Sequence, residues 1–143
     1  MKTTHAPVEE RPYAAAQRRL AGAGLRPTRQ RLHLAKLLFT GGPRHVTAES
    51  LAQEVAGQGL RLPLGTVYNA LHAFARAGLL REVAVDGMRT WFDTHTEPHH
   101  HFVDANGRLA HIPADAVEIA RLPQAPAGQE IQSVEIVLRL RRI

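Results

Sequence analysis

The chain has 143 residues and a mass of 15.7 kDa, enough for one ordinary domain or two small ones. It contains no cysteine, which excludes a disulfide scaffold, a thiolate zinc site, an iron–sulfur cluster and a cysteine nucleophile. Lys and Arg total 18 against 13 Asp and Glu, a net charge of +5 that points to a polyanionic partner, and nine histidines point to metal. No apolar run approaches the roughly 18 residues of a membrane span. Met1–Arg11 is polar, lacks the apolar core of a signal peptide and is expected to fray, so a cytoplasmic protein is expected.

Pro12–Ala23, rich in Ala, Arg and Gln, reads as a first helix, stopped by Gly24-Leu25-Arg26-Pro27. Thr28 then N-caps a second helix, with Leu32, Ala35 and Phe39 on one stripe and Leu34 and Leu38 beside it. Gly41-Gly42-Pro43 ends it. Thr47 is the next N-cap. Ala48, Leu51, Ala52 and Val55 follow at helical spacing, and Glu49 suits the positive end of the dipole. After the connector Leu62-Pro63-Leu64-Gly65, a fourth helix runs from about Thr66 to Ala77, burying Val67, Leu71 and Phe74. Glu82–Val85 and Thr90–Phe92 flank Asp86-Gly87, a strong hairpin signal. Short helices followed by a hairpin give the order of a winged helix-turn-helix, with the fourth helix as its recognition helix.

The remainder reads differently. His100–Val103 and Leu109–Ile112 are short strands around Asn106-Gly107. Pro113–Ala120 is expected to form one or two helical turns. Leu122–Gly128 is Pro-rich and extended, and the alternation over Glu130–Leu140 predicts one long strand. The fold class is thus α+β: a winged-helix DNA-binding domain over residues 1–93, then a small α/β domain over 94–143. About 49 residues are too few for a secure core, so this second part is expected to dimerise. Charge divides the same way, with net +6 over residues 1–94 and −1 over 95–143.

On the fourth helix, Tyr68, Asn69, His72 and Arg76 point away from the buried stripe. A tyrosine ring can lie on a thymine methyl, and Asn69 can pair with adenine or a phosphate. Thr66 and the N–H groups at the helix start can hold a phosphate. In Glu97-Pro98-His99-His100-His101, strand geometry puts His99 and His101 on one face and His100 on the other. Two imidazoles do not complete a metal site, and Asp93, His111 and His45 are the further donors within reach of the pattern. Nitrogen and oxygen without sulfur suits Fe(II), Mn(II), Co(II) or Zn(II). No H-E-x-x-H helix, Ser/His/Asp set or Gly-rich phosphate loop occurs, so an enzyme is not expected, and a His/Asp metallohydrolase lacks an evident general base.

His45-Val46-Thr47-Ala48-Glu49-Ser50-Leu51, Thr66-Val67-Tyr68-Asn69-Ala70-Leu71 and the histidine run together resemble the ferric uptake regulator family of bacterial metalloregulators. Trp91-Phe92-Asp93-Thr94 followed by His99-His100-His101-Phe102, and the ending Val137–Arg142, resemble its iron response regulator branch. The resemblance runs from about residue 20 to the end. It implies a homodimer that binds A/T-rich operator DNA through the winged helix and carries metal in the second domain. The sensing site it implies is His45, Asp93, His99, His101 and His111, the last standing where the family has an acidic residue. His100 and Glu118 match two positions of a second metal site, whose remaining histidine aligns near Val134. The branch's cysteine haem motif is absent, while its triple histidine, His99, His100 and His101, is present as a haem contact. For DNA, the resemblance makes Tyr68 the thymine reader, puts Arg26 in the minor groove and Arg31 and Thr66 on phosphates, and keeps Asn69 where some relatives have arginine.

The expectation is an iron-responsive transcriptional regulator, read out through Fe(II), Mn(II) or Zn(II), or haem. One alternative is a peroxide- or zinc-sensing regulator of the same family. Another, of a different class, is a haem- or metal-binding protein whose winged helix serves protein contacts.

Overall fold

Two threonines set where helices begin. The computed structural model, which describes residues 11–85, 87 and 89–143, has α1 at Ala14–Gly22, α2 at Arg29–Phe39, β1 at His45–Val46, α3 at Ala48–Gly57 and α4 at Leu64–Arg76. Strands β2 (Arg81–Ala84) and β3 (Thr90–Asp93) follow. Thr28 Oγ1 accepts the Arg31 N–H at 3.3 Å and starts α2. Thr47 and Ser50 form a reciprocal capping box at the start of α3, with bonds of 3.0 and 3.1 Å. Gly78, at φ +82°, ends α4, because the Leu79 N–H turns back to the Phe74 carbonyl at 2.9 Å and needs a left-handed residue before it. The same backward bond closes α1 from Leu25 to Leu20 and α3 from Leu60 to Val55. All three leucines then pack on the core, so each helix stop is also a packing contact.

The chain divides into two compact units, one of residues 11–85 and 90–96, the other of residues 97–143 with Gly87 and Arg89. In the first, α1 to α4 enclose Leu20, Leu34, Leu38, Leu51, Leu71 and Phe74, all fully buried. The three strands form an antiparallel sheet in the order β1-β3-β2. This is the winged-helix arrangement. Two details depart from expectation. α4 begins at Leu64 rather than Thr66, because Pro63 at φ −55° serves as its N-cap, and the Thr66 N–H is already bonded to the Pro63 carbonyl at 3.0 Å. The centre of the α2 stripe lies on Leu34, Ala35 and Leu38, with Leu32 and Phe39 at its margins. The expectation of fraying over residues 1–10, and the Asp86 and Met88 positions of the hairpin turn, lie outside the described residues.

In the second unit, β4 (His100–Val103) is central. β5 (Leu109–Ile112) pairs with it antiparallel and β6 (Val137–Arg139) parallel. Asp104 makes the β4–β5 turn, its Oδ1 accepting the N–H groups of Asn106 at 2.8 Å and Arg108 at 2.9 Å. Those bonds hold the Asp104 carboxyl below its ordinary range, the Arg108 N–H contributing most.

Of two expectations for this unit, one holds in its shorter form and one is corrected. Pro113–Ala120, expected to form one or two helical turns, forms one. It gives a single 3-10 turn at Ala114–Ala116, and Val117 is already extended at φ −123°, as β-branched residues prefer. Glu130–Leu140 is not one long strand, and pairing covers only Val137–Arg139. A strand needs an edge to pair with, and β4 offers β6 only His101, Phe102 and Val103.

Candidate metal centre and nucleic-acid interface

Strand β1 is two residues long, yet it places one donor pair. His45 lies opposite Asp93 in the β1–β3 register, so both side chains share a face. His45 Nε2 is 3.0 Å from Asp93 Oδ2. The other carboxylate oxygen, Oδ1, accepts the His95 N–H at 2.8 Å. Arg81 is the residue opposite Asp93 on β2. A carboxylate only 1% exposed is costly unless paired, and here the imidazole and the amide supply that pairing. The first unit therefore contributes one oxygen and one nitrogen donor.

The second unit contributes imidazoles. His101 lies opposite His111 across β4 and β5. The rings of His99 and His101 are 4.5 Å apart, and those of His99 and His111 4.7 Å. His99 has a ligand nitrogen within 4.8 Å of one on His101, and likewise with His111. Two donors on one ion with bonds of roughly 2.1 Å stand about 3–4.2 Å apart, so the pairs His99–His101 and His99–His111 each lie near the spacing of two ligands on one ion. His99 Nδ1 lies 2.6 Å from the Glu97 carbonyl oxygen. A carbonyl only accepts, so the proton sits on Nδ1 and the neutral ring keeps its lone pair on Nε2, open to a metal.

His100 is used differently. The Ile136 N–H donates to its Nδ1 at 3.1 Å. That puts the ring proton on Nε2 and commits the lone pair to the chain entering β6. His100 is thus a strap within the sheet, and this geometry does not offer it as a ligand to a second metal or to haem. Glu118 is exposed beyond the 3-10 turn, and Val134 is half-buried. Of the ligands expected from the sequence, His45 and Asp93 lie in the first unit and His99, His101 and His111 in the second.

The basic face belongs to the first unit. Arg26 is exposed in the α1–α2 turn. Arg31 Nη1 donates to the Arg26 carbonyl at 3.1 Å, bracing that turn from α2. Tyr68 is half-buried and Asn69 exposed on α4. The Tyr68 hydroxyl donates to Glu49 Oε1 at 3.4 Å. Partial desolvation and then the Glu49 charge raise its phenol above the ordinary value. His72 stacks on the Tyr68 ring, 6.1 Å away at 19°, meets Phe92 edge-on at 5.4 Å, and has Nδ1 3.5 Å from Glu82 Oε2. His72 is therefore packed into the protein rather than projecting freely. The Glu49–Tyr68 and Glu82–His72 contacts and β1 were missed by sequence reasoning. The one available signal was the pairing of Glu49 and Tyr68 in the motifs that cap α3 and open α4.

A winged helix with an arginine-bearing turn, joined to a histidine-lined sheet, is the build of a metalloregulator. The chain belongs to the ferric uptake regulator family, whose model matches residues 22–139. Members of that family are transcription regulators, not enzymes. The ferric uptake regulation protein of Vibrio vulnificus (strain CMCP6) is 31% identical over 115 residues, 79% of this chain and 76% of that protein. That of Shigella flexneri is 35% identical over 82 residues, 57% of this chain, and the match spans 55% of that protein's length. Among solved structures, the ferric uptake regulator of Vibrio cholerae superimposes with a TM-score of 0.71 at 26% identity, covering 88% of this chain and 98% of that one. The Pseudomonas aeruginosa regulator with manganese gives 0.69 at 25% identity, covering 89% and 97%. No helix among the described residues is long and apolar enough to cross a membrane.

Proposed function

We propose that this protein is a metal-responsive transcription regulator whose grip on A/T-rich operator DNA is coupled to a divalent ion, Fe(II) or Mn(II). Its ligands are His45, Asp93, His99, His101 and His111, and it acts as a homodimer in the cytoplasm. The observation that carries the reading is the repeated cross-strand pairing of donors: His45 opposite Asp93 in one unit and His101 opposite His111 in the other. Nitrogen and oxygen donors without sulfur suit Fe(II) and Mn(II), and the Pseudomonas aeruginosa relative was solved with manganese.

The chain between Asp93 and His99 is short enough for one ion to take ligands from both units, since six residues span at most about 20 Å. An ion so held fixes the angle between the units. In a dimer that angle sets the separation of the two α4 helices, and half-sites one or two turns apart are gripped only at the right separation. The coupling is reciprocal and of about 1–3 kcal/mol in typical cases. On the DNA, Tyr68 reads thymine, Asn69 a base or phosphate, Arg26 the minor groove, and Arg31 and Thr66 phosphates.

The finer reading, an iron response regulator with haem at His99, His100 and His101, has the histidine run in its favour. The commitment of the His100 lone pair to Ile136 favours metal over haem. The test titrates Mn(II), Fe(II) or haem into metal-free protein on A/T-rich duplex DNA. A metal-dependent rise in affinity, steep in salt and lost in Tyr68→Ala, is expected. Tight binding without metal that haem abolishes would overturn it in favour of the haem reading.

A further inference from the structure

His72 sits on the exposed side of α4 and is partly open to solvent, yet its ring is braced by side chains of its own helix and of the wing. Three groups face it. The Tyr68 ring stacks on it from one helical turn earlier, 6.1 Å away and nearly parallel at 19°. Phe92, fully buried on β3, meets it edge-on at 5.4 Å. Glu82 on β2 holds its Nδ1 at 3.5 Å. Glu82 and Phe92 are themselves opposite one another in the β2–β3 register, so His72 rests on a single rung of the wing. Tyr68 is in turn tied at its hydroxyl to Glu49 of α3.

We propose that His72 is a positioning residue: backed by Glu82 and Phe92 of the wing, it holds the Tyr68 ring at the angle that presents it to a thymine methyl. This rests on the reading of Tyr68 as the base contact. An aromatic side chain with two soft torsions loses little entropy when its ring is already stacked, so binding is spent on the base rather than on ordering the reader. The backing rung is also adjacent in β3 to the rung of Asp93 and His45, with side chains on the opposite face. A shift of β3 at Asp93 is therefore carried by the strand backbone to Phe92, and from there to His72 and Tyr68. This gives the ion a path to the reading helix inside one unit.

The experiment uses full-length, Mn(II)-loaded protein and two probes, a duplex of alternating dA and dT and the same duplex with dU in place of dT. The probes differ only by the thymine methyl. Wild type is expected to prefer thymine by roughly fourfold, the worth of one buried methyl. Tyr68→Ala removes that preference. His72→Ala is expected to remove it too, with the double variant no worse, whereas His72→Phe, which keeps the ring, retains it. In the free protein, NMR of the Tyr68 ring protons shows them displaced by His72→Ala and nearly unmoved by His72→Phe. The proposal is overturned if His72→Ala weakens both probes equally and leaves the preference intact, since His72 then touches DNA or only supports the fold. It is also overturned if His72→Phe loses the preference, since a ring is then not what positions Tyr68. A wild type with no thymine preference, or a preference that survives Tyr68→Ala, overturns instead the reading of Tyr68 on which this rests. In that case the NMR displacement alone reports whether His72 orders the tyrosine.

Discussion

The two units solve the burial problem in opposite ways. The first encloses a leucine- and phenylalanine-rich core with its own helices and leaves Leu64 as its one strongly exposed large apolar residue among those described. The second buries Val103 and Ile112 alongside three histidines, and leaves Ile119, Leu122, Ile131, Leu138, Leu140 and Ile143 exposed. Apolar side chains on and around an edge strand are a surface that another chain can cover. The first unit thus owes its stability to itself. The second leaves apolar surface that the proposed dimer would cover, and its interior is spent on the imidazoles of His99, His100 and His101.

The largest effect that sharpens this contrast falls on the self-sufficient core. Phe74→Ala, at a fully buried site, is expected to cost about 3–5 kcal/mol in urea unfolding, while Leu138→Ala changes the unfolding of dilute protein by far less. Asp93→Ala is expected to lower Mn(II) affinity by about a hundredfold in calorimetric titration, the upper end of what even an outer partner of a metal ligand costs. His100→Ala is expected to leave Mn(II) affinity nearly unchanged while weakening amide protection over β6, because its lone pair serves Ile136. Equal losses from both variants would erase the distinction between ligand and strap.

The paired substitution Leu138→Glu and Leu140→Glu is expected to weaken the proposed dimer by about 30-fold or more, read by sedimentation equilibrium, since losing a central contact of an interface costs about 2 kcal/mol. An unchanged dimer would mean that the exposed apolar residues of the second unit are not its interface. Thr47→Ala, which removes the α3 cap, is expected to destabilise the first unit by about 1 kcal/mol.

The smallest effect concerns Glu49. Burial and then the Glu49 charge raise the Tyr68 phenol, so Glu49→Gln is expected to bring it part of the way back toward the ordinary tyrosine value, read by carbon-13 tyrosine NMR. A phenol raised in the folded state favours the fold below the unfolded value and loses that contribution as pH rises through the folded one. The substitution therefore flattens the alkaline loss of stability. If Tyr68 contacts DNA as proposed, removing the anion beside it is also expected to tighten DNA binding a few-fold at low salt.

The features legible in the sequence are those with local chemistry. Thr28 and Thr47 announce caps because a hydroxyl three residues before an amide can close only one geometry. The alternation through His99, His100 and His101 separates ligand-type rings from the strap because strand period is fixed. The hidden features depend on pairing. β1 is too short to show any period, and it exists because β3 offers it an edge. Residues 130–136 alternate as a strand should, yet β4 supplies too few positions to pair with them. The packing of His72 against the wing joins residues that lie ten and twenty positions apart along the chain.

The segment linking the units has a thermodynamic consequence. The Thr94 N–H is bonded to the Arg44 carbonyl, its hydroxyl accepts the Arg44 N–H, and the His95 N–H is bonded to Asp93. On the other side the Glu97 carbonyl is bonded to His99, and the ring of Pro98 fixes its own φ. Backbone freedom in this stretch is thereby concentrated in Thr96 and the torsions of Glu97. Freezing one residue costs about 1–2 kcal/mol, so under the proposed coupling an ion that stilled this joint would forfeit only a few kcal/mol of entropy. A weakly held, exchangeable ion would then suffice for the proposed switch, and a loosely bound metal reports its free concentration rather than being trapped.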